Sequence, residues 1–164
     1  MDFNKLWNSL SLGGKIGGIA GIVLIINLFL PWYGFSGFGV SSSISAFDSG
    51  FFAWSGSLLA IAGAVLLLLS EVGNSNIKAG SLSGGQLGLL LAGLGTLFIV
   101  LRWLTETSFV KFGLFLGIIA AAAVTYGAFA SLKESGEGLP TADDFKSFGG
   151  GGDDDSPPPP PPPA

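Results

Sequence analysis

Apolar and polar positions along the chain fall into four long apolar runs separated by short polar breaks, followed by a stretch of different character. The runs lie at about residues 16–33, 52–70, 85–103 and 112–132. At about 1.5 Å per residue, the first covers most of a hydrocarbon core of about 30 Å and each is long enough to cross as a helix. The pattern predicts an all-α fold: a bundle of four transmembrane helices spanning residues 16–132. Ahead of it, Phe3, Leu6, Trp7 and Leu10 recur at the spacing of one helical face, which predicts a short interfacial helix in the N-terminal segment 1–15. Pro31, Trp32 and Tyr33 stand where a small-residue cleavage site would follow the first run, so that run is expected to stay as an uncleaved helix. Only LTETSFVK joins the third run to the fourth, which makes those helices antiparallel neighbours.

After Leu132 the apolar periodicity stops. Residues 133–164 carry KESGEGLPTADDFKSF, a glycine run, Asp153 to Asp155 and the proline tract Pro157 to Pro163. Glycine loosens the chain, like charges repel, and consecutive prolines form a polyproline II rod, so a disordered tail with a stiff tip is expected. Such a rod fits aromatic-lined grooves, which makes a protein partner for the tail one expectation and a plain spacer the other.

Within the runs, small residues recur every four positions: Gly13, Gly17 and Gly21; Gly56, Ala60 and Ala64; Gly84, Gly88, Ala92 and Thr96; Gly113, Gly117, Ala121 and Thr125. Lipid gives helices no hydrophobic reason to associate, so close backbone approach along small-residue faces has to do it. Gly17, Gly21, Gly56, Ala60, Gly88, Ala92, Gly113 and Gly117 are therefore the expected helix-packing positions, with a homo-oligomer face as the open alternative. Asn27, Ser57, Thr96 and Thr125 are read as local back-bonding or interhelical hydrogen bonds. Because the runs hold no ionisable residue at mid-depth, a substrate path is the weaker reading.

Composition sharpens this picture. The chain is 49% hydrophobic and 11% charged, with mean hydropathy +0.65, where a soluble domain carries about a quarter charged residues. A net charge of −4 without a basic stripe excludes a nucleic-acid partner. Neither Cys nor His is present, which removes thiol nucleophiles, Cys/His zinc sites and the usual catalytic base. Ser41 to Ser43 lack a base, and the Asp153 to Asp155 and Asp143–Asp144 clusters lack supporting ligands, so they read as solvated charge. No catalytic, cofactor or metal residue is expected, and no enzyme.

Charge also orients the bundle. Lys5, Lys15, Lys78, Lys133 and Lys146 fall on one side, and Arg102 and Lys111 on the other. The positive-inside rule then places both termini in the cytoplasm and the stretch Phe29 to Trp54 outside. In that loop, Phe29, Trp32, Tyr33, Phe51, Phe52 and Trp54 read as an interfacial aromatic belt. Phe35, Phe38, Phe47 and Asp48 are the expected outer-loop contacts, the three Phe covering the bundle mouth or meeting a partner, and Asp48 serving as a turn residue or pairing with Arg102. Glu71 is expected in a headgroup-level ion pair with Lys15, Lys78 or Lys133.

FLPWYGF, a short loop and AFDSGFFAW entering a Leu/Ala-rich span resemble a recurrent family of small four-span bacterial membrane proteins, of actinobacterial type. In that family the second half reads SGFDAW, whereas here Asp48 precedes Ser49 and Gly50. The resemblance covers about residues 16–132 and implies location and fold alone. Claudin-like proteins are a poorer analogy, because the outer-loop cysteines are missing and the loop is too short for a sheet domain. The expectation is a non-enzymatic structural or adaptor protein of the cell membrane, in contact with lipid, whose tail recruits partners; a small oligomeric transporter or channel is the alternative.

Overall fold

The computed structural model describes residues 2–73 and 77–149. It is mostly helical: α1 (Phe3–Ser9), α2 (Leu12–Asn27), α3 (Phe51–Val72), α4 (Gly84–Thr105), α5 (Phe112–Ser135) and α6 (Ala142–Gly149). Two hairpins interrupt the helices, β1 (Tyr33–Gly37) with β2 (Val40–Ile44) and the short β3 (Lys78–Ala79) with β4 (Leu82–Ser83). α3, α4 and α5 are long and apolar enough to cross a membrane, and α2 is a shorter apolar helix of 16 residues.

Helix ends follow local chemistry. Ser11 caps α2, its Oγ accepting from Gly14 N–H at 2.9 Å. Ser83 and Gln86 form a reciprocal capping box at the start of α4, with bonds of 3.2 and 3.0 Å. Gly136, at φ 75°, ends α5 in the left-handed conformation and lets Glu137 N–H reach back to Leu132 C=O at 3.1 Å.

α2 to α5 form an up-down-up-down bundle in which α2 neighbours α3 and α5, and α4 neighbours the same two. Many of the buried positions are small, although Leu24, Leu67, Ile99, Leu114 and Val124 are buried with them. Ala20, Ala53, Ala60, Ala64, Ala92, Ala120, Ala121 and Ala128 are buried, while Ile19, Ile22, Leu58, Leu69, Leu97, Phe115 and Ile119 point outward. Water would drive the large side chains inside; apolar surroundings leave close packing of small ones as the cohesive force.

Three expectations need correction. The first run was expected to be helical to residue 33, but α2 stops at Asn27. Pro31 has no N–H to donate and disfavours helix before it, and sheet-like bonds claim the next backbone groups: Trp32 N–H to Ile44 C=O at 2.9 Å and Gly34 N–H to Phe109 C=O at 3.0 Å. The loop, expected only as an aromatic connection and too short for a sheet domain, carries a single hairpin of five residues per strand. The tail expected to be disordered from 133 starts inside α5 and includes α6. There Asp144 accepts from Thr141 N–H at 2.8 Å and Thr141 Oγ1 at 2.9 Å, with acid at the helix start and Lys146 near its end. Those Thr141 bonds hold the Asp144 carboxyl below its ordinary value of 3.8. Asp153 to Asp155 and the proline tract lie outside the described residues.

Candidate functional site: the hairpin end and the opposite cavity

At the hairpin end, β1 is flanked on both sides. It pairs with β2 in the register Tyr33 to Ile44 through Gly37 to Val40, and Tyr33 also bridges Val110 in the α4–α5 linker. Lys111 N–H donates to Trp32 C=O at 2.8 Å, so the two connections at this end are knitted into one cap. The tip is a two-residue turn, Phe38 at φ 52° and Gly39 at φ 77°, the pair of positive values that a tight hairpin with native twist requires. A Phe in that conformation is uncommon.

Trp32 and Tyr33 are not lipid-facing belt residues. Trp32 is fully buried, its indole N–H donating to Asn27 C=O at 3.0 Å and its ring lying against Gly113 and Gly117. Tyr33 is buried too, while Phe29, Phe51 and Phe52 remain outward. At this end Trp32, Tyr33 and Ala46 are buried, whereas Phe35, Phe38 and Phe47 are exposed. Of those three, Phe38 projects from the tip fully exposed, Phe35 meets Phe109 edge-on at 5.8 Å, and Phe47 tilts onto Phe29 at 5.9 Å. Asp48 sits in the turn before Gly50 and accepts from Ser45 Oγ at 3.2 Å; no ion pair with Arg102 forms.

Arg102 instead lies over the Tyr33 ring, 5.0 Å from its centroid. The Tyr33 hydroxyl donates to Glu106 C=O at 3.2 Å. Burial pushes its phenol above the usual 10.0, partly opposed by Arg102. Tyr33, Phe35, Ser42, Arg102, Glu106 and Phe109 line a groove of about 280 Å³. The sequence hid it, because Tyr33, Arg102 and Phe109 are brought together only where β1 bridges the α4–α5 linker.

At the opposite end, a cavity of about 550 Å³ is lined by Glu71, Lys78, Glu137, several serines and the first residues of α4. Glu71 does not form the expected ion pair. Its carboxylate accepts from Ser11 N–H at 2.9 Å, Ser11 Oγ at 2.6 Å and Ser131 Oγ. The carboxylate thus lies over Gly14 at the α2 N-terminus, whose positive end offsets the unfavourable placement of Glu71 at the end of its own helix. Glu137 accepts from Ser83 Oγ at 2.7 Å.

Gly17, Gly21, Gly56, Ala60, Gly88, Ala92, Gly113 and Gly117 are all buried, the last two against Trp32 and its neighbours rather than against a helix alone. Sequence reasoning missed three further contacts: Gly63 against Gly88 and Ala92, Gly95 against Gly56 and Ala60, and Gly127 against Gly13 and Gly17. Thr96 and Thr125 bond each other across α4 and α5 at 3.0 Å while back-bonding to Ala92 and Ala121. Ser57 back-bonds to Ala53 at 2.9 Å. Asn27 does neither, for its buried carboxamide has no hydrogen-bond partner among the described residues.

No family model, curated protein or solved structure matches this chain.

Proposed function

We propose that the chain is a four-span scaffold of the cell membrane, non-enzymatic, with both termini in the cytoplasm and the β1–β2 hairpin outside, and that its tail recruits a cytoplasmic partner. The observation that carries the scaffold reading is the filled middle of the bundle. At mid-depth Ala60, Leu24, Ala92, Ala121 and Val124 are buried against one another's helices, and both cavities described above sit at the ends. Such an interior favours a rigid support over a small oligomeric transporter or channel.

Crossing by α2 is supported by its partner. α2 and the segment after it run antiparallel to α5, with Gly13 beside Gly127 and Ser131, Gly17 beside Val124, and Pro31 beside Gly113. They accompany α5 over a rise of about 27 Å, close to a full hydrocarbon core. With four crossings, the lysine-richer end faces the cytoplasm, and the chain beyond α6 emerges there.

Recruitment is tested by crosslinking in membranes, comparing the full chain with one ending at Gly149. The expected result is a defined set of cytoplasmic proteins recovered with the full chain and lost with the shorter one. Recovery of the same set by both would overturn recruitment by the proline tract.

A further inference from the structure

The groove at the hairpin end holds a cation and an anion that do not pair with each other. Arg102 and Glu106 stand one turn apart at the end of α4, both line the groove, and neither joins an ion pair among the described residues. Arg102 Nε is buried on the Gly50 side without a hydrogen-bond partner among the described residues, and the guanidinium lies over the Tyr33 ring. Buried donors of a guanidinium are costly to leave unmade. No carboxylate of the described residues pairs with Arg102, so an acceptor entering the groove meets an unpaired guanidinium.

We propose that this groove seats the headgroup of a zwitterionic phospholipid, its phosphate on Arg102 and its primary ammonium toward Glu106. Phosphate suits the planar fork of arginine, which bonds it through two parallel N–H groups. Glu106 disfavours a ligand that carries negative charge alone, and an ammonium on the same molecule compensates it. The remaining walls fit an amphiphile: Phe35 and Phe109 give apolar surface to the glycerol and upper chains, and Ser108 contributes to the polar side. The end of an apolar helix is also where headgroups lie. The inference rests on the membrane reading of the helices but not on which end faces the cytoplasm.

The test uses the full chain in detergent micelles and counts lipid adducts by native mass spectrometry. Three probes are titrated: a phosphatidylethanolamine, a phosphatidylglycerol with the same acyl chains, and soluble phosphoethanolamine. Phosphatidylethanolamine is expected to bind at the lowest concentration. Arg102→Gln should weaken it by about tenfold or more, the worth of charge-assisted hydrogen bonds. Glu106→Gln is the second variant, since the Glu106 carboxylate makes no hydrogen bond within the described chain; it should abolish the preference for the ethanolamine lipid over the glycerol one. Unchanged binding by Arg102→Gln, or a preference that survives Glu106→Gln, would overturn the site. Soluble phosphoethanolamine binding as tightly as the lipid would overturn the lipid source. Failure of the membrane reading itself is distinguishable, because the chain would then be recovered in the soluble fraction without detergent.

Discussion

Asn27 and Tyr33 show how much a single side chain carries at the hairpin end. Asn27 is fully buried at the end of α2, and neither the nitrogen nor the oxygen of its carboxamide has a partner among the described residues. A buried polar group left unmade costs about 1–3 kcal/mol, so Asn27→Leu, similar in volume and apolar, is expected to leave the thermal midpoint in micelles unchanged or to raise it. A marked drop would show that the carboxamide has a role its bonding does not reveal. Tyr33 bears on pH. Burial raises its phenol above 10.0, so the fold favours the neutral form. The stabilisation is complete below the unfolded value and is lost as the pH rises through the higher folded one. In a Tyr126→Phe background, where Tyr33 is the sole tyrosine, absorbance at the tyrosinate band should titrate above pH 10 together with loss of the fold. A midpoint at or below 10 would contradict the burial of Tyr33.

Between elements, the fit depends on glycines whose missing side chains admit backbone. A Cβ at Gly95 would come within 2.6 Å of Ala60 N, and one at Gly63 within 2.7 Å of Ala92 N, whereas one at Gly93 meets its first neighbour only at 4.0 Å. Gly95→Ala and Gly63→Ala are therefore expected to destabilise by about 1–3 kcal/mol through forced separation of α3 from α4. Gly93→Ala, in the same helix with room to spare, should stabilise by roughly 0.5–1 kcal/mol. Detergent-unfolding midpoints of the three variants separate the cases. These positions also show why a four-residue rule reads packing incompletely. An α-helix has 3.6 residues per turn, so every four-residue step drifts by about 40°. Along α4, Gly88 and Ala92 face α3, but by Thr96 the ridge has turned toward α5 and Thr125. Gly95 returns to α3, one step of three from Ala92. The apolar runs of α3, α4 and α5 were plain because length and hydropathy mark them directly. Trp32 was not, for its burial depends on a socket made by Gly113 and Gly117 from a distant run, and no local pattern joins the two. The groove was hidden for the same reason: Tyr33, Arg102 and Phe109 meet only once β1 bridges the α4–α5 linker.

Over the whole molecule, the charge asymmetry and the packing make one joint claim about topology. Single Cys substitutions at the exposed Ser42 and Ser108, on the hairpin end, and at Ser9 and Ser135, on the other, can be read in a chain with no native Cys. An impermeant thiol reagent added to intact cells should label Ser42→Cys and Ser108→Cys only. Labelling of Ser9→Cys from outside would reverse the orientation, and labelling of Ser9→Cys but not Ser135→Cys would show an odd number of crossings.

The bridge from Tyr33 to Val110 also makes the first connection depend on the last. β1 and β2 are close in sequence, but the linker residue on the other edge of β1 follows α4, and the glycine socket that takes Trp32 lies in α5. Until then the nascent chain displays an open strand edge and an unhoused indole, the features that invite mispairing and surveillance. A chain ending after α4 would therefore lack both the partner for the outer edge of β1 and the glycine socket for Trp32.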